Sequence, residues 1–236
     1  MKTITLLGID LAKDVFELRG VDAAGKLVMK KTMKRSQLAA FTAQLLPCRI
    51  AMEACGGAHY WSRLFRSQGH QPQMIAAQHV KPFKKSRQKN DMKDAEAIVE
   101  AALRPNMKYV SEKNLFQQDV QSLLRVRQQY VVLKLQISNQ IRGLLMEYGV
   151  VMPKGFSHLK TKLPAFLEDG QNSLTPIIRE LISYQYEFFR KVSDDLKKLE
   201  EKMEEHLKPN EDYQRLLKVP GVGPLSASSF IASVGN

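Results

Sequence analysis

Thr3-Ile4-Thr5-Leu6-Leu7-Gly8-Ile9-Asp10 is an apolar, β-type run that ends on a carboxylate, and Arg49-Ile50-Ala51-Met52-Glu53 repeats the pattern. Between them lie two more short runs with strand character, 15–21 and 26–33, joined by turns at 11–14 and 22–25. A helix is expected over 36–46, with Ser36 as its cap and Leu38, Phe41, Leu45 and Leu46 on its inner face. Gly56-Gly57 breaks the chain after Glu53, a helix follows over 58–68, and 73–76 is a fifth strand candidate.

Residues 78–90 read as a loop dense in positive charge, with Lys81, Lys84, Lys85, Arg87 and Lys89. The loop runs into a helix that begins at Asn90-Asp91-Met92-Lys93-Asp94 and continues to about residue 103. Asp91 and Asp94 are three apart and project from one helical face. Strand, strand, strand, helix, strand, helix, strand, then a loop and a helix is the order of an α/β domain of the RNase H-like class. Such a fold places an acid on its first strand, Asp10, and another on its fourth, Glu53.

Four converging carboxylates, Asp10, Glu53, Asp91 and Asp94, suit Mg²⁺, a hard cation that takes oxygen ligands, and Mn²⁺ is an alternative. Two such ions about 3.5–4 Å apart can clamp the attacking and leaving oxygens of a phosphodiester. The residues therefore read first as those of a phosphoryl-transfer enzyme. The flanking cations Lys81, Lys84, Lys85, Arg87, Lys89 and Lys93 suit a clamp on the nucleic-acid backbone, which positions a strand without reading its sequence. The ordinary reading of each residue stands beside this one. Asp14 suits a turn or cap, Glu96 and Glu100 a solvated helix face, His79 an exposed loop, and Tyr60 and Trp61 helix packing or base stacking.

Beyond residue 109 the texture becomes helical. Residues 115–148 carry Val120, Leu123, Leu124, Val131, Leu135, Ile137, Ile141, Leu144 and Leu145 on one stripe. Residues 176–207 form a second long helix, with Ile177, Ile178, Leu181, Ile182, Phe188, Phe189, Val192, Leu196, Leu199 and Met203 apolar and a densely charged opposite face. These stripes are core or dimer seam, and the helices pair antiparallel within one chain or across two. Arg125, Arg127, Lys134 and Arg142 suit either RNA contact or a solvated face. The stretch 150–172, with Pro153, Gly155, Pro164 and Gly170, reads as a loop-rich connection. Val219-Pro220-Gly221-Val222-Gly223-Pro224 is a turn before a small-residue helix at 225–234. Gly221 and Gly223 fit either a phosphate-holding helix-hairpin-helix turn or a plain tight turn.

The chain has 236 residues and a formal net charge of +12, a balance that favours a polyanionic partner. Its two cysteines, Cys48 and Cys55, lack metal-ligand spacing and suit a reducing compartment. The N-terminus meets Asp10 too early for a secretory segment, and no apolar run has the length of a membrane span, so a cytoplasmic, nucleoid-associated protein is expected.

With these residues in view, the chain resembles the DEDD transposases of insertion-sequence family one-hundred-ten, which includes the pilin-gene invertase type. The resemblance is carried by GIDLAKD around Asp10, MEACGGAHYW around Glu53, NDMKDAEAI around Asp91 and Asp94, and VPGVGPLSAS around Gly221 and Gly223, and it covers residues 1 to 236. It implies a RuvC-like catalytic domain (1–108), a coiled-coil linker and dimerisation region (109–212), and the start of a transposase domain (213–236). It further implies a recombinase that cuts and exchanges DNA strands under a structured guide RNA ("bridge RNA"), using Mg²⁺ on the four acids, in dimers that pair into tetramers. The family's serine nucleophile lies in a Ser-Gly block downstream of the turn, and this chain is expected to stop before it. Ser226, Ser228, Ser229 and Ser233 are not that nucleophile. The rival readings are a stand-alone RuvC-like nuclease and a non-catalytic coiled-coil module that binds nucleic acid.

Overall fold

The computed structural model describes residues 3–84 and 91–234, apart from the side chains of residues 91–93. Lys85, Arg87 and Lys89, and the side chains of Asp91 and Lys93, lie outside the described residues. The chain divides into two compact units, one of residues 1–114 and one of residues 115–234.

The first unit is a mixed six-stranded sheet built from β1 (Leu6–Asp10), β2 (Val15–Val21), β3 (Leu27–Lys34), β4 (Arg49–Glu53), β5 (Gln71–Ile75) and β6 (Tyr109–Val110). Their order is β3-β2-β1-β4-β5-β6. β1 runs antiparallel to β2 and parallel to β4, an arrangement compatible with an RNase H-like domain. Side chains on a strand alternate between faces, and the alternation sorts this sheet into two cores. Leu7, Ile9, Ile50 and Met52 join the core covered by α1 (Arg35–Ala43) and α2 (Ala58–Ser67). Leu6 and Ala51 face the opposite core, closed by α3 (Ala77–Val80) and α4 (Asp91–Ala102).

The packing of α4 is close because both partners are small. Ala95, Ala97, Ala101 and Ala102 are buried on the helix. A Cβ placed on Gly8 would stand 2.5 Å from Val99 Cγ2 and 3.0 Å from the Ala95 carbonyl oxygen. The Arg49 guanidinium on β4 donates to the Ala102 carbonyl at 2.7 Å, holding the last turn of α4 to the sheet. Arg19 on β2 pairs with Glu96 at 3.4 Å, so Glu96 is an anchor of α4 and not the solvated residue expected. Glu100 stays on the exposed side, paired with Arg104 at 3.5 Å.

Several local expectations are corrected. Ser36 does not cap α1. Lys34 holds that position, its backbone N–H donating to the Gln37 side chain at 3.1 Å, and Leu46 lies past the helix, exposed. The start of the expected 78–90 loop is helical, as α3 and a 3-10 turn at Lys81–Phe83, because Val80 is drawn into the core under α4. β6 has only two residues, below what an alternation pattern reveals.

The second unit is helical. Its frame is α5 (Leu115–Glu147) and α7 (Pro176–Leu207), antiparallel to each other: Arg127 meets Glu200 at 2.7 Å and the Phe116 and His206 rings stack at 4.8 Å. Arg142 donates to the Pro153 and Gly155 carbonyls, and the Lys134 ammonium sits 4.6 Å over Phe156, so these cations serve contacts within the unit. The apolar stripes divide in two. Ile141, Leu145, Ile182, Phe189 and Val192 are buried between the helices, whereas Leu135, Ile177, Leu181 and Phe188 face outward.

The expected loop at 150–172 contains a helix, α6 (Phe156–Glu168), in spite of Pro164. A proline has no N–H to give the carbonyl four residues back. Here the Tyr186 hydroxyl donates to that orphaned Lys160 oxygen at 3.3 Å, while Leu159 and Leu163 are fully buried. Asn210 caps α8 (Glu211–Leu217) by accepting from the Tyr213 N–H at 2.8 Å. A turn at 219–222, with Gly221 at φ +85°, leads into α9 (Pro224–Ser233).

Candidate functional site

The alternation that divides the cores also places the acids. Asp10 has the parity of Leu6 and Gly8, and Glu53 has that of Ala51, so both belong to the α4 face. Ile9 pairs with Met52 across the parallel β1–β4 ladder, which sets Asp10 and Glu53 one step further along adjacent strands. Asp94 lies on the first turns of α4, one residue before Ala95, whose carbonyl borders Gly8. Two strand ends and one helix start thus bring three of the four predicted acids to the carboxyl edge of the sheet. The fourth, Asp91, begins the same helix, and its side chain lies outside the described residues.

Lys84 stands at the centre of this edge. Its ammonium lies 3.6 Å from a Glu53 carboxylate oxygen and 3.2 Å from an Asp94 carboxylate oxygen. Burial lowers the Lys84 pKa, but the hydrogen bond to Asp94 and the charges of Glu53, Asp94 and Asp10 outweigh it and hold the value above the ordinary lysine range. The Cys55 thiol is raised first by burial and then by the negative charges of Glu53 and Asp10. Both effects place Asp10 and Glu53 in one electrostatic neighbourhood.

The donor set is all hard oxygen, the ligand type a divalent metal prefers, and two of its members converge on a single cation. Among the described residues, no group of three or more His, Cys, Asp or Glu side chains is placed so that it could hold a metal ion. Like charges at such an edge repel one another, and Lys84 offsets that repulsion between Glu53 and Asp94.

Lys81 is exposed at the end of α3. Gly221 and Gly223 belong to the second unit, at the α8–α9 turn, and only Gly221 has the positive φ that favours glycine. Ser228 and Ser229 return their hydroxyls to the Pro224 and Leu225 carbonyls four residues back, as ordinary helix serines. Asp14 is exposed, its carbonyl accepting from the Arg35 N–H at 2.8 Å. His59 accepts from the Lys113 N–H at 3.1 Å. Gly8 and Ala51 are the positions that residue-by-residue reading passed over. Each is a small residue two places before an acid, which was the available signal that a helix lies against that face.

Comparison with known proteins adds an independent line. Residues 7–150 match the DEDD family model of IS110, described as a transposase. The chain is 43% identical over 236 residues to the transposase for insertion sequence element IS1111A of Coxiella burnetii, covering 100% of this chain and 65% of that protein. It is 40% identical over 234 residues to a probable family 20 transposase of Pseudomonas aeruginosa, covering 99% and 69%. With the transposase for insertion sequence element IS1328 of Yersinia enterocolitica the identity is 36% over 236 residues, covering 100% and 70%. The chain therefore spans about two thirds of the length of these relatives.

Proposed function

This chain belongs to the IS110 family of DEDD transposases, and from that premise we propose that its first unit is a RuvC-like, metal-dependent centre that cuts DNA strands. Asp10, Glu53, Asp91 and Asp94 would hold Mg²⁺ or Mn²⁺, which when bound supplies Lewis-acid stabilisation of the phosphate at which the strand breaks. The observation that carries this reading is the sharing of one ammonium, Lys84 Nζ, by Glu53 and Asp94. A position that two carboxylates already give to a cation is one where a more highly charged cation binds in exchange.

The chain's own groups do the positioning. Gly8 lets α4 close on β1 and brings Asp94 to the strand ends, and the Arg19–Glu96 and Arg49–Ala102 contacts fix the helix there. Lys84, released from the acids, joins Lys81, Lys85, Arg87, Lys89 and Lys93 as a grip on the phosphate backbone. The net charge of +12 supports a nucleic-acid partner. The finer reading is strand exchange for mobility of an insertion sequence, directed by a structured RNA, in a cytoplasmic, nucleoid-associated protein; among the described residues no helix is long and apolar enough to cross a membrane.

The second unit supplies a coiled-coil linker and dimer seam. Ile177, Leu181, Tyr184 and Phe188 follow a heptad spacing and are 60%, 44%, 59% and 45% exposed, an open apolar stripe suited to a helix of a second copy. The α8–α9 turn with Gly221 and Gly223 is the start of the transposase domain and contacts nucleic-acid phosphate through its amides.

Calorimetric titration of Mg²⁺ and Mn²⁺ tests the centre: saturable binding is expected in the parent, with loss in Asp10→Asn and Asp94→Asn, and absence of binding in the parent refutes it. Lys84→Met is expected to bind the metal about tenfold more tightly, because a competing cation is gone, while lowering the melting temperature of the metal-free chain by a few degrees at most, since a half-exposed pair contributes about 0–1 kcal/mol. Unchanged or weaker affinity in Lys84→Met would contradict the exchange.

A further inference from the structure

A cavity of about 710 Å³ lies on the side of the sheet opposite α4, lined by Asp14, Lys34, Arg35, Tyr60 and Trp61 among others. Its volume is that of a small-ligand site, for which about 300–1,000 Å³ is usual. Its walls are joined to the acid cluster by two short connections, 11–13 from Asp10 to Asp14 and 54–59 from Glu53 to Tyr60. We propose that this cavity holds one unpaired nucleotide of a nucleic-acid strand, with the base against Tyr60 and the Arg35 guanidinium and the phosphate on Lys34 and Arg35.

Four observations carry the assignment. Tyr60 is 52% exposed although it neighbours a fully packed aromatic group, so a ring face is open to a planar ligand. Its ring meets Trp61 edge-on at 5.2 Å, and Trp61 in turn stacks on Phe65 at 5.7 Å and meets Phe16 at 5.4 Å, which fixes the platform from behind. The Arg35 guanidinium lies 5.4 Å over the Trp61 ring and 5.7 Å over Phe16, held by donation to the Ala12 carbonyl at 3.5 Å. A guanidinium seated in this way offers a planar, charged surface, and unstacked bases rest on both aromatic rings and arginine planes. Finally, Trp61 is 3% exposed, and among the described residues its buried Nε1–H has no acceptor.

The chemistry selects the ligand class. Two cations, Lys34 and Arg35, against the single carboxylate of Asp14 favour an anion, and the aromatic wall favours a flat ring; a nucleotide is both. Asp14 is an acceptor suited to an N–H on the base edge, such as the N3–H of thymine or uracil, and turns the phosphate toward Lys34. The idea that the bound strand continues to the acid cluster rests on the cleavage reading above; the nucleotide site itself does not.

The chain's single tryptophan is Trp61, which makes its emission a reporter of this cavity. Metal-free protein is titrated with a six-nucleotide deoxyuridine oligomer and, separately, its uridine counterpart, following Trp61 emission and the anisotropy of end-labelled oligomer. A saturable emission change is expected, with affinity weakened about fivefold to a hundredfold by Tyr60→Ala, retained by Tyr60→Phe, and weakened by Arg35→Lys, which keeps the charge and loses the plane. A response to only one of the oligomers identifies the strand as DNA or as RNA. Tyr60→Ala and Arg35→Lys both binding like the parent, or saturated anisotropy without any change in Trp61 emission, overturns the proposal. Asp10→Asn and Glu53→Gln separate the two readings: oligomer binding persisting while metal binding is lost supports both, and a parent that binds no metal but shows the Tyr60 dependence leaves the nucleotide site standing alone.

Discussion

Asp10→Asn is expected to lower metal-dependent nicking of supercoiled DNA by at least about a thousand-fold, while shifting the melting temperature of the metal-free protein by no more than about 4 °C. The two effects separate because they have different origins. Stabilisation of phosphoryl-transfer charge by a bound metal amounts to several kcal/mol, and each 1.36 kcal/mol is a factor of ten in rate. The folded chain without metal has the opposite interest in this residue. Asp10 adds a third negative charge to an edge where Glu53 and Asp94 already share one ammonium. Replacing it with a neutral isostere relieves repulsion but also removes its attraction for the Lys84 ammonium, so the stability change is small and of either sign, of the order of 1 kcal/mol, or about 2–4 °C in a chain of this size. Plasmid nicking in Mn²⁺ beside a calorimetric melt measures both. A melting-temperature loss of ten degrees or more would identify Asp10 as a structural residue and remove it from the proposed ligand set.

Gly8→Ala is the second large expected effect, and it falls on stability first. The added methyl would stand 2.5 Å from Val99 Cγ2, a stiff β-branched side chain, and 3.0 Å from the Ala95 carbonyl, which belongs to the helix backbone. Neither neighbour can turn aside without moving α4, so the cost is that of overpacking, about 1–3 kcal/mol. That displacement carries Asp94 away from Asp10 and Glu53, so metal affinity falls as well, by roughly tenfold. Val99→Ala opens space on the same side, and the double variant Gly8→Ala/Val99→Ala should lose less than the sum of the single losses, because the two positions are in direct conflict. Chemical denaturation of the four proteins in this cycle gives the coupling. Strict additivity would mean that α4 does not rest on Gly8 as closely as the distances imply.

Only part of the site is legible in the sequence. The acids at positions 10, 53, 91 and 94 announce themselves through two strand ends and one helix start, since an acid closing an apolar run is a local pattern. The strand sequence through β5 follows in the same way from alternation and from turn residues at 22–25 and 56–57. What local pattern does not carry is which of two sheet faces each acid takes relative to a helix forty or eighty residues later. That depends on Gly8 and Ala51, whose smallness has meaning only once Ala95 and Val99 are set against them. Lys84 illustrates the same limit. In sequence it is one of several lysines in a basic stretch, and only the burial of Val80 and the short turn behind it bring its ammonium between Glu53 and Asp94.

Helix α6 marks the limit from the other side. Pro164 and the flanking glycines argue for a connection without structure, and by local energetics they are right, since a proline inside a helix forfeits a hydrogen bond. Burial of Leu159 and Leu163 against Ile182 and Phe189, with the Tyr186 hydroxyl donating to the stranded Lys160 carbonyl, reverses that balance. The sequence by itself determined the elements whose periodicity exceeds a few residues, the places of the four acids at element ends and the net positive charge, because these are properties of neighbours along the chain. The tertiary structure alone decided which acids converge, which lysine stands among them, and which half of each long apolar stripe is core and which is exposed, because those depend on distances between residues that the chain order leaves far apart.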